Sequence, residues 1–254
     1  MIIDADCHVS SGHITSVAIT ADELVQQMDQ HQIDKALVWI APPYSRQLEV
    51  ENRALHRASK VHGDRLLAFG WANPRLGTTA TKATIKRCFD EYGFIGIKFN
   101  GAQDDYLIDD PNLTLPYIEQ AAAYGKPLAF HTGTDAYENT HPYRVGHIAA
   151  AYPELPILMV HMGGVGKPSL AHAAIETAQT HPNVTLIASE TSTRDLIAAI
   201  ETLGPDRVCY GSDAPFELMD VERARFEAVL TRFDASTYDK VMGGNIARLL
   251  VDAD

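Results

Sequence analysis

Eight short apolar runs recur along the chain, each followed by a polar or amphipathic stretch of helical length. They are Ile2–Ile3, Ala36–Ile40, Leu66–Trp71, Phe94–Phe99, Pro127–Phe130, Ile157–Val160, Val184–Ala188 and Val208–Tyr210. Runs that are apolar throughout, and bounded by turn residues, suit strands buried on both faces of a parallel sheet. The segments between them read as helices. Ala21–Gln30 sets Leu24, Val25 and Met28 on one stripe. Gly125 and Pro127 stop a helix that ends at Ala123-Tyr124. Tyr152-Pro153 and His181-Pro182 end the next two, because the residue before proline avoids the helical region. Strand starts lie about 25 to 33 residues apart, the spacing of a closed eightfold βα repeat. The pattern predicts an α/β fold: one (β/α)8 TIM barrel over residues 1–254, with a short C-terminal helical extension from Tyr238–Met242 and Asn245–Leu250. An open doubly wound sheet ranks second, since no Gly-x-Gly-x-x-Gly turn follows the first run.

Charge narrows the partners. With 21 Lys and Arg against 33 Asp and Glu, the net charge is −12, and no basic cluster offers a face to a phosphate backbone. Hydrophobic residues make up 46% of the chain, enough for a large core. Cys7, Cys88 and Cys209 are odd in number and far apart, which predicts free thiols in a reducing compartment. Neither a signal peptide nor a membrane span is legible. We therefore expect a soluble, cytoplasmic protein whose partner is a small-molecule substrate, with no nucleic acid and no membrane; a homo-oligomer is compatible with this.

In barrels of this class the reactive groups gather at the C-terminal ends of the strands. Here those ends carry Asp6-Cys7-His8, Lys98 with Asn100, His131, His161, Glu190 and Asp213. Strand parity puts Asp6 and His8 on one face and Cys7 on the other, and Asp4 shares their parity one layer deeper. Imidazoles and carboxylates converging on one barrel end are what a divalent metal requires. Such an ion activates water or polarises a carbonyl.

The motifs Ile3-Asp4-Ala5-Asp6-Cys7-His8, Gly96-Ile97-Lys98, His131-Thr132-Gly133, His161-Met162-Gly163-Gly164, Gly211-Ser212-Asp213-Ala214-Pro215 and Gly243-Gly244-Asn245-Ile246-Ala247-Arg248-Leu249-Leu250 occur in this order. As an ordered set over essentially the whole chain, they resemble the amidohydrolase-related family of metal-dependent barrel enzymes, which includes hydrolases and non-oxidative decarboxylases. The resemblance implies metal ligation by Asp6, His8, His131 and Asp213. Asp213 serves as ligand or proton shuttle, and His161 lies beside the metal in contact with substrate or water. The family's opening motif is His-x-His, and Asp6 stands at its first position, as in some decarboxylases. Oxygen for nitrogen hardens the site towards manganese; zinc is the ion first expected, with manganese as the alternative.

Around this set, Glu190 reads as the orienter of a ligand histidine, or as a salt-bridged strand end. Lys98 reads as the partner of a buried acid, as a contact to a substrate carboxylate, or as a carboxylated bridge between two metals. Arg144, Trp71 and His13 are candidates to line the substrate pocket, with Arg144 as an anion clamp. The run His161–Lys167 is not a phosphate loop, since His161 and Pro168 stand where Gly and Ser or Thr are needed. The leading expectation is a metal-dependent hydrolase acting by water attack on an ester, lactone or amide of a carboxylated substrate. The alternatives are a non-oxidative decarboxylase, in which Asp213 protonates carbon, and a metal-free barrel that binds a small ligand.

Overall fold

The computed structural model describes residues 1–12, 17–42 and 47–251. Its strands are β1 (Ile3–Val9), β2 (Lys35–Ile40), β3 (Leu66–Trp71), β4 (Gly96–Phe99), β5 (Leu128–His131), β6 (Ile157–Val160), β7 (Val184–Ile187) and β8 (Val208–Cys209). They form one sheet in chain order, every neighbouring pair parallel. First and last strands meet where Ala5 N donates to Tyr210 O (3.0 Å), Asp213 N to Asp6 O (2.8 Å) and His8 N to Ala214 O (2.7 Å). The fold is a (β/α)8 TIM barrel.

Helices α1 (Ala21–Gln30), α2 (Leu48–His62), α3 (Thr78–Lys86), α4 (Leu115–Ala122), α5 (Tyr137–Thr140), α6 (Pro142–Ala151), α7 (Pro168–Thr180), α8 (Thr193–Leu203) and α9 (Met219–Leu230) fill the connections. Sequence dictates their limits. Thr20 and Glu23 form a reciprocal capping box at the start of α1. Tyr152 and His181, each before a proline, cap the ends of α6 and α7. Among the described residues, no helix is long and apolar enough to cross a membrane.

The strands are buried on both faces. Towards the helices, Phe99 and Phe130 stack with ring centroids 5.7 Å apart. Towards the barrel axis the layers turn polar near the C-terminal rim. In-register pairing sets His8 beside Trp39 and Trp71 beside Lys98, which fixes a layer of imidazole, indoles and ammonium under the rim.

The C-terminal extension is helical, as expected, and begins three residues earlier, at Ala235. α10 spans Ala235–Asp239, a wide turn follows at Lys240–Gly244, and α11 covers Asn245–Val251. Gly243, whose φ of 171° is non-helical, separates the expected segments Tyr238–Met242 and Asn245–Leu250. The extension ties down the base of β8: Asn245 Nδ2 donates to Pro205 O (2.6 Å) and Val208 O (2.8 Å).

Candidate metal centre and cavity

β1 carries Asp6 and His8 inward, and the segment after β8 brings Asp213 against them. His8 Nε2 lies 3.5 Å from Asp6 Oδ1 and 3.2 Å from Asp213 Oδ1. Both oxygens are buried and have no hydrogen-bond partner. Two orphaned carboxylate oxygens converging on one imidazole nitrogen suit a shared divalent cation, because buried polar atoms are rarely left unmatched. Gly211 makes the approach possible: a Cβ there would stand 2.9 Å from Asp6 Cβ and 2.8 Å from Ile187 Cγ2.

His161, at the exit of β6, reaches the same cluster. Among the described residues, ligand atoms of Asp6, His161 and Asp213 lie within 4.8 Å of one another. Its orientation is set by Ser189, whose hydroxyl donates to Asp6 Oδ2 (2.5 Å) and so accepts from His161 Nδ1 (2.9 Å). That tautomer leaves the Nε2 lone pair available. His8 Nδ1 is likewise fixed, against Ile40 O at 2.9 Å, but its Nε2 accepts from Trp39 Nε1 at 2.9 Å, a bond that ligation of an ion by His8 would have to displace.

The remaining residues of the expected set fall in several places. His131 sits at the cavity wall, edge-on to His161 with centroids 4.8 Å apart, and its Nε2 is bound to Asp135 Oδ1 at 2.9 Å. Glu190 also lines the cavity, but its Oε2 is 4.0 Å from His161 Nδ1, so Ser189 and not Glu190 orients that ring. Lys98 is fully buried beneath Asp6, its Nζ 4.0 Å from Asp6 Oδ1 and 3.8 Å from the centre of the Trp39 ring. This is the buried-acid reading, with Asp6 as the acid; Asp4 instead accepts from Asp6 N (3.2 Å) and Ser212 N (2.8 Å). Trp71 is buried in the layer below, its indole donating to Asp104 at 2.8 Å. Arg144 is engaged by Asp109 Oδ1 at 2.5 Å and by Glu138 O at 2.8 Å, away from the cavity wall. His13 lies outside the described residues.

Ser189, Asp135, Trp39 and Phe216 were not legible as site residues. Ser189 had one usable signal, a strand-seven exit position whose parity points inward; Asp135 lies on a loop and had none.

The cavity measures about 340 Å³ and is lined by His8, Asn100, His131, His161, Glu190 and Asp213, with Phe216, Pro42 and Val165 as apolar walls. Phe216 meets His8 edge-on at 5.1 Å. Non-glycine residues stand in the left-handed region at three successive strand exits, His161 (φ 68°), Glu190 (φ 49°) and Asp213 (φ 60°). Such conformations persist where surrounding contacts over-determine them, commonly at functional sites.

Charge here is strongly coupled. Burial would raise the Asp6 carboxyl, but Lys98, His161 and His8 outweigh it and hold Asp6 below the ordinary range. Burial pushes Lys98 down to about 8 against the pull of Asp6 and Asp213. Burial likewise pushes His161 down to about 4, which keeps it neutral. For His8, burial and Lys98 act downward, yet contacts with Asp213 and Asp6 leave it raised. Glu190 is lifted to about 7 by burial and by the carboxylates of Asp213, Asp6, Glu217 and Asp135.

Comparison with known proteins agrees with this geometry. The amidohydrolase family model matches residues 3–251. The γ-resorcylate decarboxylase of Polaromonas sp. (strain JS666 / ATCC BAA-500) is 25% identical over 285 aligned residues, 90% of this chain and 86% of that protein. In fold, the chain is similar to 2,6-dihydroxybenzoate decarboxylase from Rhizobium (TM-score 0.79, 19% identity, covering 100% and 99% of the two chains). It is also similar to a dihydroxybenzoic acid decarboxylase from Polaromonas sp. JS666 with bound manganese (TM-score 0.73, 20% identity, 98% and 96% covered). These relatives are decarboxylases, which overturns the expectation of a hydrolase. The match of the family model along nearly the whole chain, and the strand-end residues it spans, make this protein a member of the amidohydrolase family.

Proposed function

We propose that this protein is a metal-dependent, non-oxidative decarboxylase of a small aromatic carboxylic acid. The observation that carries the reading is the likeness to γ-resorcylate decarboxylase over nine-tenths of the chain. Water attack on an ester, lactone or amide, expected from the family in general, is not the activity of these relatives.

Asp6, His8 and Asp213 would hold the ion, and an imidazole from His131 or His161 completes the set. Their hard oxygens favour manganese over zinc, in line with the manganese in one similar structure. When bound, the ion supplies positive charge that anchors the substrate's carboxylate or an adjacent hydroxyl and offsets negative charge as the carbon–carbon bond breaks. The chain's own residues do the rest. Phe216, Pro42 and Val165 sandwich an aromatic ring and exclude water from it. Asp213, on the cavity wall with Oδ1 unmatched, either faces the ion as a carboxylate or, protonated, would give that proton to the ring carbon that loses carbon dioxide and be left as the carboxylate. Where His131 completes the set, His161, neutral and tethered through Nδ1, would present Nε2 to take a proton from a substrate hydroxyl.

The test is carbon dioxide release from a panel of hydroxylated benzoic acids by manganese-replete protein. Release that disappears in Asp213→Asn is expected. Absence of release from every acid, in protein carrying a full ion per chain, would overturn the assignment.

A further inference from the structure

Asn100 follows directly on β4, and the loop beyond it is wound tightly around that residue. Asn100 O accepts from Asp104 N at 3.1 Å, while Gly101 O accepts from Tyr106 N at 3.0 Å and from Asn139 Nδ2 at 3.2 Å. A Cβ at Gly101 would stand 2.2 Å from Tyr106 O, so this turn needs glycine. Trp71 Nε1 pins the loop to β3 through Asp104 Oδ2 at 2.8 Å. Asn100 is therefore a fixed point of the rim, and it is only 2% exposed.

Its carboxamide is committed at one end alone. Oδ1 accepts from Ala102 N at 3.1 Å and from Gln103 N at 3.0 Å. Two amide donors can meet only the oxygen, which fixes the direction of the group. Nδ2 is turned away from the loop and donates to no described residue. The surface that Asn100 keeps lies on the cavity, so both N–H groups of Nδ2 face it. A nearly buried donor is normally matched, and here the match comes from what the cavity holds. A carboxamide does not titrate, so it offers donors with or without an ion nearby. In the ring of eight strands, β4 stands three places from β1 and four from β8, which lead to Asp6 and Asp213. It adjoins β5, where the pairing of Phe99 with Phe130 brings Asn100 and His131 to the next level together. A flat ring whose carboxylate is drawn towards Asp6 and Asp213 turns another edge to β4.

We propose that Asn100 sets specificity: its Nδ2 donates to an oxygen acceptor on the substrate edge that faces β4, distinct from the group directed at the ion. This rests on the reading of the cavity as the substrate site of a decarboxylase.

Asn100→Asp isolates the donor. Aspartate keeps an oxygen for the amides of Ala102 and Gln103 and puts an acceptor where both N–H groups stood. The experiment uses full-length, manganese-loaded protein and paired 2-hydroxybenzoates that carry a formyl or a vinyl group at the same ring position, from the 3- to the 6-position. The two groups are alike in shape and charge and differ in one acceptor oxygen. Binding is measured by calorimetry and turnover by carbon dioxide release. At one position the formyl compound should bind about threefold or more tighter than its vinyl partner. In Asn100→Asp that ratio should fall to about one or below, with manganese content retained. The added charge acts on both partners alike and cancels in the ratio. Asn100→Ser is a neutral second variant, whose shorter hydroxyl can still take the loop amides, and its ratio should fall likewise. No formyl preference at any position, or a ratio unmoved in both variants, would overturn the proposal. Equal weakening of both partners would leave Asn100 a loop cap alone and overturn it too. A formyl preference that the variants abolish, without carbon dioxide release from any acid, would sustain this role of Asn100 while sinking the decarboxylase reading; release without the preference would do the reverse.

Discussion

Replacing Ser189 with alanine tests whether the site depends on the hydroxyl that ties Asp6 to His161. The Ser189 side chain is fully buried, donates to Asp6 Oδ2 at 2.5 Å and accepts from His161 Nδ1 at 2.9 Å. Alanine removes both bonds and strands two buried partners, each at a cost of about 1–3 kcal/mol. The metal-free variant should therefore be about 2–6 kcal/mol less stable, lowering Tm by roughly 4–24 °C for a chain of this size. Asp6 and His161 also lose the atom that fixes their relative orientation, so manganese affinity should fall about 10- to 100-fold, or about 1.4–2.7 kcal/mol. Calorimetric titration with manganese and thermal unfolding of the stripped protein measure the two effects separately. Thr191→Ala is the matched control: its hydroxyl is buried nearby but donates only to Ala188 O at 2.7 Å. That variant should lose stability and keep its affinity. Unchanged manganese affinity in Ser189→Ala, or an equal loss in both variants, would refute the reasoning.

Stripping the ion with a chelator should lower Tm by roughly 5–10 °C relative to protein at 100 times Kd, a linkage of about 2.7 kcal/mol; Asp213→Asn should show no such difference. Of His131→Ala and His161→Ala, one alone should lose manganese affinity by about tenfold or more, which identifies the completing ligand; retention by both would exclude an imidazole as the fourth ligand. Gly211→Ala forces a methyl against Ile187 and Asp6, so it should destabilise by about 1–3 kcal/mol and weaken manganese binding, both readable in one titration series. Asp4 supplies a pH test in metal-free protein. Burial, outweighing its bonds from Ser212 and Asp6, raises its folded carboxyl to about 6 from 3.8. A raised acid contributes stability that is whole below the unfolded value and is lost as pH climbs through the folded one. Asp4→Asn keeps the acceptor for both amides, so it should gain on the parent between pH 4 and 7, by up to about 3 kcal/mol at pH 8 in urea unfolding. A gap that does not vary with pH would contradict this.

The barrel was legible because its strands, buried on both faces, announce themselves as unbroken apolar runs. The reading was poorest where the interior turns polar. β1 continues to Val9, well past Ile3, because Asp4, Asp6 and His8 face an axis that needs charge. Strand-end reading located the residues of the centre but not their depth. Lys98 and Trp71 share an in-register layer beneath the rim, which only the pairing reveals. Arg144 resembled a free clamp until Asp109, 35 positions away, proved to hold it. Ser189 and Asp135 are small polar residues beside more conspicuous neighbours, and their roles come from contacts that no local pattern encodes.

The seam between β1 and the segment after β8 has a consequence for biosynthesis. Asp4 takes the amide of Ser212, 208 positions later, and Asp6 and Asp213 meet across the same join. A ribosome must deliver the 208 positions that separate Asp4 from Ser212 before these groups can come together. The candidate ion pocket therefore cannot assemble before the segment after β8 is made, and a chain lacking β1 or that segment loses the ring closure and the pocket together.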